Sequence, residues 1–221
     1  MLTKRITLTF DNGPHDTGTP EVLDVLAARS LKATFFMVGS RLNEAHLLKL
    51  AERIYADGHR VGNHTFSHGV PLGRRPGLET AEAEIGNTQR LIGQLSGERL
   101  FRPNGEKGRL GSHLLSQEAV NYLQSERYTV VIWNCVPEDW TPPQGSWVER
   151  ARSTMRDLDW TVIVLHDKLM AGNVGHLEDF LDDLIHQGYE FTTQFPPDTV
   201  LMFKGEPSSA LAGNFTATKV P

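Results

Sequence analysis

The sequence predicts an α/β fold in which helices cover a parallel sheet, either as a barrel or as a doubly wound sheet. Three observations carry this reading. Short apolar runs alternate with helix-patterned segments roughly seven times, the signature of repeated βα units. No linker breaks that alternation, and 221 residues suit one full-sized domain. Ionisable or metal-ligating residues follow directly on five of the apolar runs, and a parallel sheet gathers such strand ends on one rim.

Residues 6–10 are the first strand. Thr19 is the expected N-cap of the next helix and Pro20 its first residue, with Val22, Leu23, Val25 and Leu26 as its apolar face. Residues 33–38 form a buried strand. Residues 43–57 form a helix with Leu47, Leu48, Leu50, Ala51 and Ile54 at helical spacing, stopped by Gly58. Residues 59–61 suit a short strand, and residues 77–96 a long helix stopped by Gly97. After a brief strand at 100–101, residues 112–125 are helical. Residues 128–133 are a strand of β-branched and aromatic residues. A helix at 146–158, a buried strand at 161–165 and a helix at 174–186 follow. Residues 189–192 and 199–203 close the ordered part. From Glu206 the chain is rich in Ser, Ala, Gly and Thr, so the expected division is a domain over 1–205 and a loose tail over 206–221.

Composition excludes several classes. The net charge of −5, from 22 basic and 27 acidic residues, argues against a clamp on nucleic acid. The single cysteine, Cys135, excludes an intrachain disulfide framework and a cysteine-based zinc cluster. The apolar run after Arg5 is too short for a signal-peptide core. No stretch approaches about 18 apolar residues, so no membrane partner is expected. The chain is expected to be cytoplasmic. Composition does not address its oligomeric state.

The five strand-end clusters are Asp11 with Asn12, His64 with His68, Arg102, Asp139 with Trp140, and His166. Each has a plain reading. Asp11-Asn12-Gly13-Pro14 is made of turn formers. Two histidines four residues apart share a face of a helical turn and can grip a metal ion, but solvated loop histidines fall at the same spacing. Arg102 before Pro103 can be a surface charge, Trp140 can be core, and His166 can enter a helix. All five together are better explained as one site.

The motifs resemble those of the NodB-type polysaccharide deacetylases (carbohydrate esterase family 4). Thr9-Phe10-Asp11-Asn12-Gly13-Pro14 is similar to that family's T-F-D-D-G-P. His64-Thr65-Phe66-Ser67-His68 resembles H-S/T-x-x-H, and Phe101-Arg102-Pro103-Asn104-Gly105 resembles R-x-P-Y-G. The segment from Trp133 to Trp140 is similar to a motif ending D-x-x-D-W, and Val164-Leu165-His166 to L-x-H. Order and spacing agree from about residue 6 to about residue 203. The resemblance implies a distorted (β/α) barrel, typically of seven strands.

It also implies an activity, the hydrolysis of N-acetyl groups on carbohydrate with release of acetate. Asp11 would be the base that takes a proton from a metal-bound water, and His166 the acid that protonates the leaving amine. Asn12, His64 and His68 would hold a divalent metal, zinc first, with cobalt or another divalent ion as alternatives. Arg102 would hold Asp11, and Asp139 would hold and tune His166. Trp140 and Val164 would line the pocket for the acetyl methyl, with Asn104 as the candidate for oxyanion binding. The division suits the chemistry, because an amide needs an activated water and its amine leaves only when protonated.

Three departures mark this chain. Asn12 replaces a liganding Asp, which removes one negative charge and predicts weaker metal retention at a more electrophilic ion. The third motif is one residue short, and Arg102-Pro103-Asn104-Gly105 lacks its aromatic. Val136 and Val164 replace an Asp and a Leu. The expected substrate is an N-acetylated carbohydrate, a chito-oligosaccharide or related amino sugar. The alternatives are hydrolysis of a small cyclic amide or ureide with little metal dependence, and a catalytically weak carbohydrate-binding barrel.

Overall fold

The computed structural model describes residues 3–93, 95, 98–211 and 216–217. The elements in chain order are β1 (Arg5–Gly13), α1 (Gly18–Ala28), β2 (Thr34–Met37), α2 (Ala45–Ala56), β3 (Arg60–Asn63), α3 (Leu78–Ala81), α4 (Asn87–Ile92), β4 (Leu100–Phe101), β5 (Leu115–Ser116) and α5 (Gln117–Ser125). They continue with β6 (Thr129–Val131), α6 (Trp147–Met155), β7 (Trp160–Leu165), α7 (Asp167–Met170), α8 (Gly175–His186), β8 (Glu190–Phe191), β9 (Val200–Phe203), β10 (Glu206–Pro207) and β11 (Thr216–Ala217).

β1 shows why this sequence makes a barrel wall. Its side chains alternate between two faces, as strand geometry requires. Ile6, Leu8 and Phe10 join an apolar cluster with Val22 and Leu26 of α1 and Leu177, Phe180 and Leu181 of α8. Thr7, Thr9 and Asp11 are buried on the other face, where polar groups from neighbouring strands meet them. The wall runs β9-β6-β4-β3-β2-β1-β7, with β8 against the start of β1 and β10 against β9. From β6 to β7 all pairings are parallel, while β9 joins β6 antiparallel, so six of these seven strands share one direction. The curled sheet closes where Cys135 bridges to Ile163 of β7, by bonds of 3.2 Å from Cys135 N to Val162 O and 3.0 Å from Val164 N to Cys135 O. Helices cover the outside, and this is the distorted (β/α) barrel that the resemblance implies.

Several element boundaries differ from the sequence reading, each for a local reason. α1 begins at Gly18, so Pro20 lies within the first turn, and the Thr19 hydroxyl accepts from His15 N at 2.7 Å instead of capping. The helix expected from 43 starts at Ala45, because Gly39–Asn43 form a 3₁₀ turn first. The long helix expected over 77–96 is split. A π-helical turn, Glu82–Gly86, separates α3 from α4, and α4 ends at Ile92. Residues 96 and 97, its expected end, lie outside the described residues. The helix expected from 112 begins at Gln117, where the Ser116 hydroxyl accepts from Ala119 N at 3.2 Å and caps it.

The stretch from 206, expected as a loose tail, is attached wherever it is described. Glu206 and Pro207 pair with Phe203 and Met202, Leu211 is buried in an apolar cluster, and Thr216–Ala217 pair with β5. A small-residue composition leaves backbone pairing open, and composition was the only signal there. Among the described residues no helix is long and apolar enough to cross a membrane.

Candidate active site

Arg102 follows β4 and is the largest fully buried side chain. Its Nη1 donates to Thr9 Oγ1 at 2.7 Å and to Asp11 Oδ1 at 2.9 Å, and Nη2 donates to the Ile132 carbonyl at 3.3 Å. Its guanidinium carbon lies 4.1 Å from the centre of the Phe36 ring. A buried cation is tolerated here because a carboxylate, a carbonyl and an aromatic face meet it. Burial pushes the Asp11 carboxyl up, but the Arg102 guanidinium, through its charge and its hydrogen bond, outweighs it with help from His166 and holds Asp11 below the usual carboxylate range. Asp11 is therefore ionised at neutral pH.

The backbone of β1 is irregular beside it. Its pairing with β2 shifts register between Asp11 and Gly13, and Asn12 adopts φ 71. A bulge re-aims side chains, and Asn tolerates the left-handed region better than most residues. The outcome is an Asn12 Oδ1 that is buried with no hydrogen-bond partner.

His64 Nδ1 lies 2.9 Å from the Arg102 carbonyl, which can only accept, so Nδ1 carries the proton. The lone pair of Nε2 then faces Asp11 Oδ2 at 3.6 Å, and two electron-rich atoms opposed in this way favour a cation beside them. Burial pulls the His64 pKa down to about 4 and lowers His68 as well, so both rings are neutral. The two ring centres are 5.0 Å apart. No helical turn brings them together, since Thr65 and His68 take φ 66 and φ 50 in a loop after β3. Two neutral imidazoles and an unsatisfied amide oxygen suit a divalent ion of borderline softness such as zinc. Among the described residues no group of three His, Cys, Asp or Glu forms a metal cluster, because the third donor here is an amide.

His166 follows β7. Its Nδ1 donates to Asp139 Oδ1 at 2.8 Å, and its backbone N donates to Asp139 Oδ2 at 2.7 Å. Burial pulls the imidazole pKa down, but the Asp139 hydrogen bond and the charges of Asp139, Asp11 and Asp167 raise it above its ordinary value. The Trp140 ring stands edge-on to it at 5.5 Å.

A cavity of about 420 Å³ joins these groups. Asp11, Asn12, His64, His68, Trp140, Val164 and His166 line it, while Arg102 and Asp139 stand behind Asp11 and His166. Asn104 is the exception among the expected residues. It is buried outside the lining, with Nδ2 donating to the Gly69 carbonyl at 2.7 Å. That bond ties its side chain to the backbone just beyond His68.

The cavity wall continues beyond Asn104, in the segment 104–111 that the sequence reading takes to shape the groove. Gly105, Lys107 and Gly108 line the cavity, together with Trp133, Val136, Lys168 and Leu169. A Cβ on Gly105 would meet the Trp133 ring at 2.8 Å, and one on Gly108 (φ 71) would meet Val136 Cγ1 at 2.6 Å. Trp133 Nε1 donates to the Gly108 carbonyl at 2.8 Å, which fixes the loop. Val136, standing where the resemblance has an Asp, serves here as an apolar wall against Gly108.

The model of the polysaccharide deacetylase family matches residues 2–131. The chain is 32% identical over 198 residues to the peptidoglycan-N-acetylmuramic acid deacetylase PdaC of Bacillus subtilis, covering 86% of this chain and 38% of that protein. The solved structure of that enzyme superimposes with a TM-score of 0.68 at 30% identity, over 86% of this chain and 87% of the solved one. A peptidoglycan-N-acetylglucosamine deacetylase of Bacillus cereus is 31% identical, over 86% of each chain. A chitooligosaccharide deacetylase of Azorhizobium caulinodans is 31% identical, over 73% of each.

Proposed function

This chain belongs to the polysaccharide deacetylase family, and on that premise we propose that it is a hydrolase that removes N-acetyl groups from an amino-sugar oligosaccharide and releases acetate. The observation that carries the proposal is the convergence in one cavity of a carboxylate bound by Arg102 and an imidazole bound by Asp139. Their surroundings push the two groups in opposite directions, Asp11 toward its ionised form and His166 toward its protonated form, and both face the same space as Asn12, His64 and His68. Two titratable groups pushed apart in this way are suited to act as base and acid.

Asn12, His64 and His68 would hold the metal ion, with zinc the first expectation. When bound, such an ion polarises the acetyl carbonyl and makes water acidic enough to attack it. Asp11 accepts the proton of the attacking water, and Arg102 keeps its carboxylate oriented through the 2.9 Å bond. His166 then gives its proton to the departing amine nitrogen, and Asp139 fixes the ring that does so. Trp140 and Val164 offer apolar surface to the acetyl methyl. The relatives are named for deacetylation of peptidoglycan and chito-oligosaccharide, which supports an N-acetylated amino sugar as the substrate.

The test is acetate release from N-acetyl chito-oligosaccharides and from peptidoglycan fragments, after chelation and with zinc or cobalt restored. Release that disappears on chelation and returns with metal is the expected result. No acetate from either substrate under any metal would overturn the reading.

A further inference from the structure

We propose that Glu84 is a positioning residue for the loop joining His64 to His68, and that it sets the metal affinity of the site. The inference rests on the metal reading above. Glu84 is buried and belongs to the π-helical turn Glu82–Gly86. Its Oε2 accepts from Phe66 N at 3.1 Å and from Ser67 N at 2.9 Å. Its Oε1 accepts from Ser67 Oγ at 2.8 Å and more distantly from Arg75 Nη1 at 3.4 Å. Three of these four donors lie between the two histidines.

The loop needs such an anchor. Thr65 and His68 both take left-handed backbone angles, φ 66 and φ 50. That region is disfavoured for residues with a Cβ, above all for a β-branched one, and persists only where neighbours hold it. Local bonds supply part of the hold. Thr65 N donates to Asn63 Oδ1 at 3.0 Å, and His68 N donates to Thr65 Oγ1 at 3.2 Å. The two central amides, of Phe66 and Ser67, are answered by Glu84. A buried carboxylate is costly unless its oxygens are satisfied, and here the loop satisfies them.

The π turn links this anchor to the sheet. One extra residue per turn shifts the helix register, a device often found at functional sites. Within this turn the Ile85 carbonyl accepts from Asn63 Nδ2 at 2.8 Å, and one residue earlier the Glu84 side chain reaches the loop. Asn63 ends β3 and directly precedes His64. The π turn thus grips the histidine segment before the first imidazole and again between the two. Partners of metal ligands held in this way typically change metal affinity by about 10–100-fold when removed.

The test is zinc affinity of the full chain by competition with a chromogenic chelator, with amide hydrogen exchange of the metal-free protein as a second readout. Glu84→Ala is expected to weaken zinc binding about 10–100-fold. It is also expected to speed exchange at Phe66 and Ser67 while exchange in β1 and β7 stays unchanged. Glu84→Gln retains an acceptor and is expected to recover most of the affinity. Should Glu84→Ala fail to fold, Ser67→Ala replaces it, with an expected loss of about threefold for one hydrogen bond. Zinc affinity within twofold of the parent in the variant that folds would overturn the inference. Zinc binding absent from the parent itself would instead overturn the metal reading beneath it.

Discussion

Asp139 holds His166 at two points, with one carboxylate oxygen 2.8 Å from the ring Nδ1 and the other 2.7 Å from the backbone N of the same residue. This double hold fixes both where the imidazole sits and which of its nitrogens faces the cavity. It also favours the protonated ring, against the burial that disfavours it.

Asp139→Asn is expected to move the alkaline limb of the kcat profile to lower pH. His166 works as an acid while protonated, and its raised pKa keeps the proton to higher pH than usual. Without the Asp139 charge, burial dominates and the proton is lost earlier. The variant's kcat is expected to fall below the parent's increasingly as pH rises. An unchanged limb would show that another group supplies the proton.

The same shift has a consequence for stability. Because the folded pKa of His166 is raised, its stabilising contribution is complete below the unfolded value and is lost as pH rises through the folded value. Thermal unfolding of the parent and of His166→Gln should therefore differ more below pH 6 than above pH 9. A constant difference across that range would contradict the pairing with Asp139.

His166→Ala is expected to lower acetate release by about 10²–10⁴-fold, the usual contribution of a general acid. Zinc content should be unchanged, since His166 is outside the donor set. Single-turnover assays and metal analysis of one preparation check both parts.

Asn12→Asp restores a charged oxygen at the position whose Oδ1 is buried without a partner. Zinc is expected to bind more tightly to this variant. A titration showing equal or weaker affinity would remove Asn12 from the donor set.

Arg102→Met is expected to destabilise the fold by about 3–5 kcal/mol, because it leaves Asp11 buried without its cation. The double variant Arg102→Met with Asp11→Leu should recover much of that loss while remaining inactive. Urea unfolding of Arg102→Met, Asp11→Leu and the double variant against the parent measures the coupling.

Much of the site was legible in the sequence, because strand ends in a parallel sheet share a rim. Ionisable residues after five of the apolar runs therefore announced a shared location for Asp11, His64, His68 and His166. Period-two alternation in β1 likewise separated Ile6, Leu8 and Phe10 from Thr7, Thr9 and Asp11. What stayed hidden depends on partners far away in the chain. Asn104 reads as a cavity residue, but it lies outside the lining with its side chain bound to the Gly69 carbonyl. The helix over 77–96 reads as continuous until Asn63 claims the Ile85 carbonyl and the loop after His64 claims Glu84. The upward shift of the His166 imidazole follows from its bond to Asp139, 27 residues earlier. Local patterns determine which residues reach the rim, because strand and helix periods are properties of short segments. Only the tertiary fold decides which buried polar groups find partners, and so which lone pairs and protons remain for chemistry.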